Sequence, residues 1–323
     1  MRIGLAGCGR IGGRHADAYR QLGVELVVAD ADADAARSLA GQTGALWVPA
    51  SALLREDIDA LDVCVPSAHH RDWILAGLNR DLDVFCEKPL CLSAADARTV
   101  CSAAESAGRS VTIGYLYRHH PAFRFMREVL AEQVIGQPHL AVARLGGRGS
   151  HQAWKHNGQG GGVVFEMMVH LLDLLSWLLG PLTDGAMPHC ELVLPVRQIG
   201  GQACQAAEPD FAVASMRAGG VRALCQSDLL TPSFMNYVEV HGDNGSVTGS
   251  IMHSMPTSVY CNEPRGLFDR GHNTRPMEPV NLFVAELSDF IATVKSGEPN
   301  LASLHSSVAL ADFIDRLTGE GHT

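Results

Sequence analysis

RIGLAGCGRIGGRHADAYRQLGVELVVAD, residues 2–30, decides the front half of the chain. An apolar run at 3–6 reads as a buried strand. It enters Gly7-Cys8-Gly9-Arg10-Ile11-Gly12, a GxGxxG spacing, and then a helical stretch at 14–22. A second strand at 24–29 ends on Asp30. In such a unit the first glycine permits a tight turn and the second lets a pyrophosphate approach the backbone. The third lets helix and strand pack closely, while the helix N-terminus offers N–H groups to the anion. Asp30, about 20 residues past the motif, stands where an acid holds the adenosine ribose hydroxyls. The next basic residue is Arg37, so a 2′-phosphate would meet Asp30 and Asp32 without a close cation. NAD is therefore expected rather than NADP. The candidate cofactor contacts are Gly7, Gly9, Arg10, Ile11, Gly12 and Asp30.

The alternation continues with strands at 45–48, 61–65, 84–86 and 111–114 and helices at 33–41, 71–79 and 94–107. Ser93 with Asp96 forms a capping box, and Gly108 is a stop. This pattern predicts an α/β fold, a doubly wound parallel sheet with helices on both faces. Near His120-Pro121 the pattern changes. A helix at 122–133 is followed by strands at 138–145, 190–196, 211–217, 221–228, 235–241 and 246–251. Asp243-Asn244-Gly245 is a hairpin turn between the last two. Helices at 163–179, 281–296 and 303–318 complete this part. A chain of 323 residues is long for one core. Two domains are expected: residues 1–120, binding the nucleotide, and residues 121–323, an α+β domain with a mainly antiparallel sheet.

The formal net charge is −10 and no basic patch stands out, which argues against a nucleic-acid partner. The N-terminus lacks the sections of a secretory signal. Nine cysteines without a CxxC pair read as reduced thiols of a cytoplasmic protein. The segment GGGVVFEMMVHLLDLLSWLLG, residues 160–180, is apolar apart from Glu166, His170 and Asp173. It is too short and too charged at its centre for a membrane span. Spacings of four and three residues put the three ionisable groups on one helix face. Burying such groups costs several kcal/mol unless they are paired, and proton-transfer chemistry is a common reason to do so. His69-His70, His119-His120 and His151…His156 have no strong ligand spacing, so no metal is expected.

Glu87-Lys88-Pro89 after a strand, joined to the N-terminal fingerprint and the downstream GGG…H…D, resembles the glucose-fructose oxidoreductase / inositol dehydrogenase / MocA family. The resemblance implies a Rossmann domain followed by a domain with an open-faced sheet that mediates homodimers or homotetramers. It also implies hydride exchange between NAD(P) and a hydroxyl carbon of a sugar or cyclitol. The family's helix motif is GGG-x-x-x-D-x-G-x-H-x-x-D. Here Gly160, Gly161 and Gly162 begin it, Glu166 replaces the Asp, Met168 replaces the Gly, and His170 and Asp173 match. Lys88 matches the catalytic lysine. Pro66, Ser67 and His70 align with a P-N-x-x-H element beside the nicotinamide, and Glu87 joins the cofactor contacts. Arg118 and Pro121 match a recurrent R-x-x-P. The implied roles are His170 as general base, Lys88 assisting at the same oxygen, and Glu166 orienting the imidazole or binding a neighbouring hydroxyl. Tyr115, Trp154 and His156 are candidate substrate contacts. Two alternatives stand beside a polyol dehydrogenase: a redox-neutral, NAD-dependent glycosidase and a non-catalytic sensor of sugar or NAD.

Overall fold

The first strands rise where apolar residues run unbroken, because a parallel sheet covered on both faces needs side chains buried on both sides. In the computed structural model, which describes residues 1–147, 160–199, 201–252, 254–297 and 300–319, these are β1 (Arg2–Ala6), β2 (Glu25–Ala29), β3 (Leu46–Trp47), β4 (Ala60–Val63), β5 (Asp83–Glu87) and β6 (Val111–Gly114). They lie parallel in the order β3-β2-β1-β4-β5-β6. The order reverses between β1 and β4, the switch point at which open α/β sheets bind ligands beyond the strand ends. Helices α1 (Arg10–Gln21), α2 (Ala33–Thr43), α3 (His70–Leu78) and α4 (Ala94–Ala107) connect the strands. The Asp32 carboxylate accepts from the Asp34 and Ala35 N–H groups at the start of α2. The Ser93 hydroxyl does the same for Asp96 at the start of α4, and Gly108 closes that helix at φ +62°.

The second unit contains α5 (Pro121–Ala131), β7 (Pro138–Gly146), α6 (Val169–Leu179) and β8 (Leu182–Glu191). A small hairpin of β9 (Val196–Ile199) and β10 (Gln202–Gln205) follows, then β11 (Phe211–Ala218), β12 (Val221–Asp228), β13 (Met235–Gly242), β14 (Gly245–Gly249), β15 (Thr257–Cys261) and β16 (Gly271–Arg275). Eight of these strands form a mixed sheet in the order β16-β15-β14-β13-β7-β12-β11-β8. Every pairing in it is antiparallel except β7 with β12. Burial alternates along the strands, with Ala141, Ala143 and Leu145 inside. Leu224 on the other face is 44% exposed. Helices α5 and α6 pack on this sheet.

Several expectations need correction here. The strand expected at 190–196 meets only the last two residues of β8, which starts at Leu182. As an edge strand, exposed along most of its length, β8 carries no apolar alternation to announce it. The apolar Leu192–Leu194 run is instead exposed between strands, and the Val193 and Leu194 N–H groups donate to the Asp210 carboxylate at 2.7 and 2.9 Å. Strands β9, β10, β15 and β16, short or largely polar, were not expected either. The helix expected from 163 begins as a π-helical turn, Val164–Met168, before becoming α6.

The division into domains also differs from a cut at residue 120. One compact unit comprises residues 1–116 with 281–312, the other residues 117–280 with 313–323. The residues 281–312 include α7 (Leu282–Ser296), which packs on α1. Its Leu287 and Phe290 are fully buried in the core of Ile3, Tyr19 and Phe85. Burial of each is worth about 1.5–3 kcal/mol, and linear order says nothing of which core receives them. The helix α8 (Leu304–Thr318) ends the described chain. No helix among the described residues is long and apolar enough to cross a membrane.

Candidate active site

In the first unit, the loop between β1 and α1 is built by its glycines. Gly7 has φ +101°, and a Cβ there would lie 2.5 Å from the Cys64 carbonyl oxygen. A Cβ on Gly12 would lie 1.9 Å from the Gly7 oxygen. At Gly9, the N-cap of α1, nothing lies within 4 Å of the corresponding position, and no side chain caps the helix. The first N–H groups of α1, which have no carbonyl of their own helix to meet, thus begin beside open space. Asp30 holds the opposite side of the loop: its carboxylate accepts from the Cys8 N–H at 2.6 Å and the Asp32 N–H at 2.8 Å. Burial, with the adjoining Asp30 carboxylate, pushes the Cys8 thiol up to about 12, so it is neutral at ordinary pH. These features fit the diphosphate and ribose of a dinucleotide. Gly12→Ala is accordingly expected to cost about 3 kcal/mol or more in chemical denaturation, since backbone must move. Gly9→Ala, with room for a methyl group, should cost about 1 kcal/mol or less while weakening NADH binding about tenfold, 1.4 kcal/mol.

Arg37, the first cation after Asp30, is engaged elsewhere. It donates to Asp34 at 2.7 Å and lies over the Trp47 ring at 4.6 Å. Pro66 caps a 3-10 turn, Ser67–His69, that leads into α3. His70 is buried, with Nδ1 2.7 Å from the Pro89 carbonyl oxygen and Nε2 3.0 Å from that of Val65. Burial lowers its pKa, against the pull of those two carbonyls. The ring thus ties the loop after β4 to the Glu87-Lys88-Pro89 segment, whose Lys88–Pro89 peptide is cis. Glu87 Oε2 accepts from the Lys88 backbone N–H at 3.1 Å. Tyr115, just past β6, is buried.

In the second unit, Gly161 and Gly162 both take positive φ, +75° and +66°, to turn the chain into the π-helical segment. Gly161 N–H donates to Glu208 at 2.6 Å, and Val163 N–H to the Pro209 carbonyl at 2.8 Å. Glu208 had no sequence signal, because it lies on a loop far from its partner. A single π turn inside a helix is a feature often found at functional sites; here it carries Glu166 and the buried Met168. His170, in the first turn of α6, is 8% exposed. Its ring stacks at 4.8 Å on Tyr117. Burial, and then the nearby Glu166 carboxylate, raises the Tyr117 hydroxyl far above its ordinary range. Asp173, one turn beyond, is fully engaged: Arg118 donates to both its oxygens, at 3.0 and 2.6 Å. Burial raises the Asp173 carboxyl, with Arg118 opposing.

Trp154 and His156 lie outside the described residues. Of the histidine doublets, His70 is placed between carbonyls and His120 accepts the Ala122 N–H as the N-cap of α5. All nine cysteines are free thiols.

The sequence matches two family models: an oxidoreductase family with an NAD-binding Rossmann fold over residues 1–115, and the GFO/IDH/MocA C-terminal domain over residues 123–248. The chain belongs to the GFO/IDH/MocA oxidoreductase family. This family member is 26% identical to the myo-inositol 2-dehydrogenase of Thermotoga maritima over 94% of this chain and 91% of that one. It is 28% identical to the inositol 2-dehydrogenase of Rhizobium meliloti over 99% and 97%. In fold it is similar to a levoglucosan dehydrogenase solved with NADH and levoglucosan, with a TM-score of 0.88 at 18% identity over 99% and 96% of the two chains. It is thus an oxidoreductase with an NAD-binding Rossmann domain and a separate, mostly antiparallel sheet.

Proposed function

We propose that this family member oxidises a secondary ring hydroxyl of a sugar, sugar derivative or cyclitol with NAD as hydride acceptor. The observation that carries the reading is Asp30. Its carboxylate, fixed by two backbone N–H groups at the end of β2, suits a ribose diol and repels a 2′-phosphate. The full-length similarity to inositol dehydrogenases supports the substrate class. When bound, the nicotinamide supplies the hydride-accepting carbon. The protein must then take the hydroxyl proton and stabilise the charge growing on oxygen. In this reading His170 takes that proton, because imidazole is the side chain that ordinarily titrates near neutrality. Lys88 donates to the same oxygen as an ammonium, and Glu166 binds a neighbouring hydroxyl or orients the imidazole. Gly7, Gly9, Arg10, Ile11, Gly12, Pro66, Ser67 and Glu87 hold the cofactor. The proposal includes a homodimer or homotetramer formed through the exposed face of the eight-stranded sheet.

Purified protein is expected to form NADH, read by absorbance, with at least one member of a panel of inositols, hexoses and glycosides. Asp30→Ala should lower kcat/KM for NAD about tenfold and narrow its preference over NADP. No hydride transfer from any polyol would overturn the reading. Release of a cleaved glycoside without NADH accumulation would replace it with a redox-neutral reaction.

A further inference from the structure

His15, on the first helix and without any signal in the sequence, is fully buried and has no part in the proposed chemistry. Its Nδ1 lies 2.8 Å from Asp62 Oδ2 on β4, and its Nε2 lies 3.2 Å from Glu87 Oε1 at the end of β5. Cys64 Sγ sits 3.3 Å from Nδ1 and 3.4 Å from Asp62 Oδ1. Rings of Phe85 and Phe283 approach the imidazole at 5.4 and 5.6 Å. From α7 comes Glu286, 2% exposed, with neither carboxylate oxygen hydrogen-bonded. One of those oxygens lies within 4.8 Å of both the His15 and Glu87 ligand atoms. Tyr19, one turn along α1, faces Asp62.

Three carboxylates in such a volume need compensating charge, because an unpaired buried carboxylate costs several kcal/mol. Each side of the ring offers three donor atoms within 4.8 Å of one another, His15 with Asp62 and Cys64 or with Glu87 and Glu286, so a single divalent cation would meet only one set. The two ring nitrogens serve different carboxylates on different sides of the ring, so no one point is shared by all the donors. Protons fit well, since an imidazolium carries an N–H on each nitrogen and makes two charge-assisted bonds. Burial alone would lower the His15 pKa. The Asp62 carboxylate, 2.8 Å from Nδ1, opposes it, and the balance holds the ring well above its ordinary value. Burial also raises Cys64 well above the thiol range, leaving the carboxylates as the ionic partners. Glu286 is raised well above the carboxylate range by burial and then by Glu87, so it keeps its proton. Glu87 is held low by His15 and then Lys88, against its own burial.

We infer that His15 is a positioning residue: as an imidazolium bridging Asp62 and Glu87 it fixes the Glu87 carboxylate, whose other oxygen holds the Lys88 backbone N–H. One ring thereby ties the helix that opens on the cofactor loop to β4 and to the segment bearing the lysine. The inference rests on the proposed role of Lys88. The groups facing the ring are Tyr19 on α1, Asp62 on β4 and Cys64 just after it, Glu87 at the end of β5 followed by Lys88, and Glu286 on α7. With the folded-state pKa raised, the bridge stabilises fully below about pH 6.5 and is lost as pH rises through the folded-state value.

Nitrogen NMR of the full-length protein with labelled histidine tests the charge. Both His15 nitrogens should still carry protons above the pH range in which free imidazole titrates. The Lys88 amide resonance should shift with the same midpoint when His15 titrates. Asp62→Asn, which removes a charge and keeps the shape, should lower that midpoint by about a unit or more. The alkaline fall in kcat for polyol oxidation should come down with it. A ring that loses its proton in the ordinary imidazole range, a stoichiometric metal in the purified protein, or a midpoint that moves without the Lys88 amide would overturn the inference. An alkaline limb that stays in place would do the same. If the ring and the amide behave as expected but no polyol is oxidised, the bridge stands and the assigned reaction falls.

Discussion

His170→Ala is expected to slow polyol oxidation about a thousandfold, the middle of the range for losing a general base. Lys88→Ala should have an effect of similar size, because a cation at a developing alkoxide acts mainly in the transition state. Losses of this kind lower kcat and kcat/KM together, so NADH affinity, measured by fluorescence, should change little. The local chemistry favours the histidine for the proposed role. Tyr117, stacked on it at 4.8 Å, has a hydroxyl held far above its ordinary range by burial and then by Glu166. Asp173, three residues on, has both oxygens taken by Arg118. Lys88→Arg should not restore the rate, since a planar guanidinium does not replace a compact ammonium. Near wild-type turnover in both alanine variants would refute the assignment.

The second large effect concerns stability. Asp173→Asn is expected to destabilise the protein by about 3–5 kcal/mol, because it removes the carboxylate charge that meets the buried Arg118 guanidinium through two hydrogen bonds. The loss is read as a lower midpoint in chemical denaturation. The double variant Arg118→Met with Asp173→Leu should recover much of it, since apolar replacements of similar size remove both charges at once. An Asp173→Asn protein within about 1 kcal/mol of wild type would show that the pair is not what holds Arg118 in place. The pair has a clear structural task. It pins the segment after β6 to the first turns of α6, close to where His170 stacks on Tyr117.

How much of the site could be read in advance differs sharply between residues. The β1–Gly7–α1 unit was legible because each requirement acts between near neighbours. The turn at Gly7, the open approach at Gly9 and the close packing at Gly12 all lie within one loop, and Asp30 ends the adjacent strand. The capping of α4 by Ser93 and its stop at Gly108 were legible for the same reason. The π-helical turn at Val164–Met168 was not. Its apolar residues are buried all round, so periodicity could not distinguish it from a continuing α-helix. Strand β8 escaped because an exposed edge leaves no alternation to detect.

Sequence by itself determined the alternating strands and helices and the dinucleotide fingerprint with its acid, since these depend on residues a few positions apart. Tertiary structure alone decided that α7 returns to the first core, that Asp173 belongs to Arg118, and that His15 sits between Asp62 and Glu87. A buried charge takes whatever partner the folded backbone brings within hydrogen-bond reach. That partner can come from any distance along the chain, so no local pattern records it.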